Sequence, residues 1–165
     1  MLVVHVLTHP AGRDWSRRLA RFESQFAYPT PGGHFCICHN ADEYLAFHAT
    51  MGTPHLLVAC MGDDIAAVLC AIRVGVADWY LCDAKVGAAY RGQGLSVLLC
   101  LRAKDMFAIG RGYGVCMNEP DGRTAKAAQM ALRFGAPFGL KTYRMHMYTV
   151  PGSSLPTATW QSTRG

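Results

Sequence analysis

Val86-Gly87-Ala88-Ala89-Tyr90-Arg91-Gly92-Gln93-Gly94-Leu95-Ser96-Val97-Leu98-Leu99 is the stretch on which the reading of this chain turns. Residues 79–86 are apolar and strand-like, and they run through a glycine-rich turn straight into a helical pattern over 95–109. Leu95, Leu98, Leu99, Ala103 and Met106 fall on one side of that helix. The first N–H groups of a helix have no internal partner, and the helix dipole places partial positive charge there. Glycines let an anion approach the main chain, so the segment reads as a phosphate site.

Upstream, residues 2–7 read as a strand. Asp14 is placed to cap a helix whose Trp15, Leu19, Phe22 and Phe26 recur on one face. Pro29-Thr30-Pro31-Gly32-Gly33 is a break, and residues 41–51 read as a short helix. Residues 55–61 and 65–74, joined by Gly62-Asp63-Asp64, read as a β-hairpin. Downstream come a strand at 113–117, a helix at 124–134 and a last strand at 142–150. This order predicts an α/β fold, a mixed and mostly antiparallel central sheet flanked by helices. One domain over 1–150 and a Ser/Thr/Pro-rich tail over 151–165 are expected.

Composition narrows the function. Of 165 residues, 51% are hydrophobic and 16% charged, which excludes a disordered chain. The longest apolar run, 65–72, is far short of the roughly 20 residues of a membrane span. No secretory signal is read at the start, so the expected location is cytoplasmic and the seven cysteines are expected as free thiols, mostly small core residues. Charge is uneven. Residues 1–80 carry a net −2 and residues 81–165 a net +7, which suits a polyanionic ligand held by the second half. His34-Phe35-Cys36-Ile37-Cys38-His39 crowds metal-type side chains, but the spacing is not that of a zinc site, and no metal is expected.

Arg91-Gly92-Gln93-Gly94-Leu95-Ser96 resembles the Arg/Gln-x-x-Gly-x-Gly/Ala signature of the GCN5-related N-acetyltransferase (GNAT) superfamily, with Ser96 at the last position. Val86, Tyr90 and the Leu98-Leu99 pair fit the same pattern, as does the order of elements over residues 2–150. The resemblance implies acetyl-CoA as cosubstrate. Its pyrophosphate would lie on the amides of Arg91, Gly92, Gln93, Gly94, Leu95 and Ser96, and its pantetheine arm beside Ala84, Lys85 and Val86. The implied reaction is direct attack of an amine acceptor on the thioester in a ternary complex. Amines titrate near about 10.4 and must lose a proton, so a base is needed. Asp83 is the expected base, with Asp78 behind it, and structural pairing of Asp83 with Lys85 or an arginine is the other reading. The tyrosine that the superfamily often uses as general acid is missing from residues 124–134, so Tyr143 is taken in its place. Residues 26–39 are the expected acceptor wall, with His34 as an auxiliary base. The alternatives are a nucleic-acid-associated protein of this fold, not favoured because its aromatics do not interleave with its basic residues, and a non-catalytic CoA-binding module. A membrane is not an expected partner. A homodimer is left open.

Overall fold

A computed structural model of the chain describes residues 1–30, 32–39, 42–116, 121–135, 141 and 143. In chain order the elements are β1 (Leu2–Thr8), α1 (Arg13–Glu23), β2 (Tyr28–Thr30), β3 (Gly33–Phe35), α2 (Ala46–Ala49), β4 (Thr53–Met61), β5 (Asp64–Arg73), β6 (Asp78–Val86), α3 (Leu95–Phe107), β7 (Arg111–Tyr113) and α4 (Lys126–Gly135). Five strands make one sheet in the order β1-β4-β5-β6-β7, antiparallel except for the parallel pair β6 and β7. This is the mixed, mostly antiparallel sheet expected from the sequence.

Alternation along β4 and β5 feeds two cores. Leu56, Val58, Val68, Cys70 and Ile72 meet Leu19 and Phe22 of α1. Leu57, Ala59, Ala67 and Leu69 meet Leu95, Leu99 and Ala103 of α3. Period-2 side chains in strands make this division automatic.

Several boundaries moved for local reasons. Gly12, not Asp14, occupies the N-cap of α1, and Asp14 lies in its first turn. The helix expected over 41–51 shrinks to Ala46–Ala49, because the Glu43 carboxylate accepts from the Leu45 and Ala11 amides at 3.2 Å each. The proline-glycine break is flanked by the short pair β2 and β3, with Tyr28 stacked on Phe35. The strand expected at 113–117 ends at Tyr113. A Cβ on Gly114 would sit 2.7 Å from the Leu81 carbonyl oxygen, so only glycine fits there. The strand expected at 142–150 lies outside the described residues. Among those described, no helix is long and apolar enough to cross a membrane.

Two features of β6 shape the surface beside it. Its pairing with β7 covers only Asp78, Trp79 and Tyr80. Beyond Leu81 no described strand covers that edge. On its other side Val68 faces Lys85 while Cys70 faces Cys82, so β6 carries one extra residue. This is a β-bulge, and Asp83 within it takes φ +49°, a region that aspartate tolerates better than most residues.

Candidate functional site

The glycine-rich loop forms as the sequence implied. The Gly87 amide donates to the Ala66 carbonyl at 2.9 Å and ties the loop to β5. A short 3-10 turn, Ala88–Tyr90, follows, and the Tyr90 hydroxyl reaches Asp64 Oδ2 at 3.1 Å. Gly92 (φ +80°) and Gly94 (φ +75°) are both left-handed, and a Cβ at either would meet nothing within 4 Å. The glycines are therefore fixed by backbone conformation, and the space above them is open. Gly94 is the N-cap of α3, and no side chain caps that end. The amides of the first turn are thus left for an outside acceptor. Leu95 is buried and anchors the helix, while Arg91, Gly92 and Gln93 are exposed.

Beside the bulge lies a buried polar network. Lys85 Nζ donates to Glu23 Oε2 at 2.7 Å and to Asp83 Oδ1 at 2.8 Å. His48 Nε2 lies 2.6 Å from Asp83 Oδ2. Glu23 also accepts from the hydroxyls of Tyr28 (3.1 Å) and Tyr44 (3.3 Å). The His39 ring leans on Tyr44 at a tilt of 32° and stacks on His48. Glu23 arrives from the end of α1, His48 from α2, and Asp83 and Lys85 from β6.

Burial opposes every charge here, and partners overcome it. For Asp83, burial pushes the carboxyl up, but the His48 hydrogen bond and the Lys85 charge hold it well below the usual carboxylate range. For His48, burial pushes down, yet the Asp83 hydrogen bond and the nearby Cys82 lift it to about 9. Lys85 is raised by Asp83 and Glu23 against its own burial. The Cys82 thiol, beside Cys70 and then His48, is lowered to about 6, and the second ring nitrogen of His48, Nδ1, is buried with no hydrogen-bond partner among the described residues. Its neighbour Cys70 moves the other way. One ring nitrogen of His48 and the sulfurs of Cys70 and Cys82 lie within 4.8 Å of one another.

The arrangement can be set beside solved structures. A Trypanosoma brucei acetyltransferase superposes with a TM-score of 0.58 at 14% identity, over 92% of this chain and 100% of that one. An aminoglycoside acetyltransferase from an uncultured soil metagenomic sample gives 0.55 at 17%, over 92% and 98%. A transcriptional regulator from Bacillus halodurans gives 0.53 at 16%, over 88% and 99%. The chain has the GNAT fold. No protein-family model and no curated protein matches the sequence.

On the GNAT fold the residues expected from the sequence fall in separate places. Arg91 to Ser96 form the open loop and helix start described above. Ala84 is exposed and Val86 half-buried on the strand leading to it. The Lys85 side chain, expected only as a pairing partner of Asp83, is buried in the ion network. Asp83 sits between two cations, so the pairing with Lys85 that the sequence offered as a second reading exists. Asp78 instead meets Arg111 at the exposed end of the sheet, 2.6 Å from Nε. Tyr143 is 83% exposed, and no described contact joins it to the network. Of the wall expected at 26–39, Tyr28 and His39 touch the network, while Cys36 and Cys38 are exposed. A pocket of about 240 Å³ opens next to them, lined by Ile37, His39, Tyr44 and Phe47 among others.

Sequence reasoning missed Glu23, His48 and Cys82. Glu23 follows Phe22 at a helix end, and His48 was one of many histidines. Asp83 and Lys85, two apart in a strand, were the available signal that a charged pair shares one face.

Proposed function

We propose that the chain transfers an acetyl group from acetyl-CoA to an amine. The observation that carries this is the adjacency of two features, the uncovered edge of β6 beyond Leu81 and the uncapped, glycine-opened start of α3. The first offers backbone groups at Ala84, Lys85 and Val86 to an amide-bearing arm, and the second offers amides 91–96 to a pyrophosphate. Developing charge on the thioester oxygen is stabilised by main-chain N–H, so few special side chains are needed. The positive second half suits the phosphates. The amine enters from the pocket beside His39 and Tyr44, whose volume suits a small amine or the end of one side chain. The cytoplasm remains the proposed location.

Asp83 is better placed to hold His48 and Lys85 than to take a proton itself. A carboxylate held far below its usual range is a weak base toward an ammonium.

The cofactor half of the proposal is tested by acetyl-CoA binding, read as a rise in melting temperature. Gly94→Val is a poor probe, because φ +75° strains a β-branched residue. Gln93→Glu is better. Residue 93 is exposed, and an acid at a helix N-terminus favours the helix while repelling phosphate. Affinity for acetyl-CoA should fall about tenfold or more with the apo melting temperature unchanged. Unchanged affinity would detach this loop from the cofactor. The acyl-transfer half is tested by thiol release over an amine panel, and binding without turnover would leave a CoA-binding module.

A further inference from the structure

We propose that Cys82 is a nucleophile that takes the acetyl group from the thioester before the amine does, with His48 moving the proton and Asp83 positioning His48. This rests on the reading that acetyl-CoA lies along β6. Nucleophile, base and orienting carboxylate stand in sequence. Cys82 Sγ lies within 4.8 Å of a His48 ring nitrogen, and His48 Nε2 lies 2.6 Å from Asp83. A base held by a third group is the usual signature of an activated nucleophile.

Cys82 is also singled out by its place. Cys60 and Cys70 are buried, and Cys36, Cys38, Cys100 and Cys116 are exposed. Among the described contacts, only Cys82 combines partial exposure with a histidine that a carboxylate orients. It precedes the bulge at Asp83, where β6 begins its uncovered edge. The His48 side chain is 3% exposed, so bulk water does not compete for its proton. The directions of titration agree. Cys82 is drawn down toward the thiolate and His48 up toward the imidazolium, which together make the ion pair of a reactive cysteine.

The chemistry balances. The Cys82 thiolate attacks the acetyl carbonyl carbon, a C–S bond to Cys82 forms, and the C–S bond to CoA breaks. The CoA thiolate leaves with the proton of the His48 imidazolium, the role assigned from sequence to Tyr143. A neutral amine then attacks acetyl-Cys82, its proton passes to neutral His48, and the Cys82 thiolate returns. No oxidant or reductant is involved.

The test uses the wild-type chain without acceptor. It is incubated separately with acetyl-CoA and with S-acetyl-N-acetylcysteamine, a small thioester that needs no nucleotide site. Peptide mass spectrometry then locates acetyl groups before and after neutral hydroxylamine, which cleaves thioesters and spares amides. The expected result is hydroxylamine-labile acetyl on Cys82 from acetyl-CoA. It should be absent in Cys82→Ser and form about 10²-fold more slowly in His48→Gln. Acetyl-CoA that binds, raising the melting temperature, but leaves Cys82 bare would overturn the proposal and leave direct attack in a ternary complex. Cys82 acetylated by the small thioester, with no binding of acetyl-CoA, would support the nucleophile and remove the cofactor reading instead. Cys82 bare with both donors overturns it, whatever acetyl-CoA does. So does a stoichiometric metal in the purified protein that is lost in Cys70→Ser as in Cys82→Ser.

Discussion

The two faces of the central sheet draw on the same strands and hold opposite chemistry. Toward α3 the core is Leu57, Ala59, Ala67 and Leu69 under Leu99 and Ala103, with no buried polar side chain among the described residues. Toward α1 the core contains Glu23, His48 and Lys85, all buried, with Asp83 half-buried beside them. The small residues of the first face let a helix pack closely and keep water out. The second face keeps charges that no folding requirement explains, since ion pairs in an interior rarely stabilise more than apolar groups of the same volume. One face is wholly apolar, and the other is built around a buried network of charges.

The largest test of this contrast is Lys85→Ala. It strands the Glu23 and Asp83 carboxylates without their cation and should cost about 3–5 kcal/mol in urea unfolding. A loss under about 1 kcal/mol would mean that the network is solvated and the faces do not differ. Leu99→Ala on the other face should cost about 3 kcal/mol through lost contacts and a cavity. Its loss should be the same at pH 7 and pH 9, because His55, the half-buried imidazole packed on Phe107 of that face, is held below its usual range by burial and stays neutral throughout. A pH-dependent loss at Leu99 would break the comparison from the other side.

A smaller effect sharpens it. His48 titrates near 9 when folded against 6.5 ordinarily, so its contribution is complete below pH 6.5 and is lost as pH rises through about 9. Cys82 titrates near 6 against 9 ordinarily, so its contribution is present above pH 9 and is lost as pH falls through about 6. Across pH 6.5–9 the two offset, and the stability of the wild-type chain should be nearly flat. In Cys82→Ala only His48 remains, and stability should fall with rising pH by on the order of 2 kcal/mol. Equal slopes in the two proteins would uncouple Cys82 from His48.

Local patterns carried much of the fold. The hairpin of β4 and β5, the helix α3 and the loop before it follow from period and glycine placement within a few dozen residues of one another. The charged face did not follow. Glu23 meets Lys85 across 62 positions and His48 meets Asp83 across 35, and nothing in either neighbourhood announces the meeting. Glu23 reads as the solvated end of an amphipathic helix. Cys82 reads as a small core residue, because its partner Cys70 sits one strand away and the histidine comes from a helix of four residues. The bulge was hidden too, since an aspartate rather than a glycine occupies its left-handed position.

That bulge sets a rule for how the chain can change. Cys82 and Lys85 are an odd number apart, and a regular strand would send them to opposite sides. The one supernumerary residue resets the phase and brings both to the α1 side. The exposed Ala84 touches little, so exchanges there should leave stability and thiol reactivity nearly intact. Removing it would restore regular pleating, leave Cys82 and Lys85 two apart on the α1 side, and turn Asp83 between them toward the alanine-rich face beneath α3, away from His48. A folded Ala84 deletion that kept the reactivity of Cys82 would refute this. At this point the chemistry is encoded in chain length as much as in residue identity, and homologous sequences could drift in spelling here but not in count.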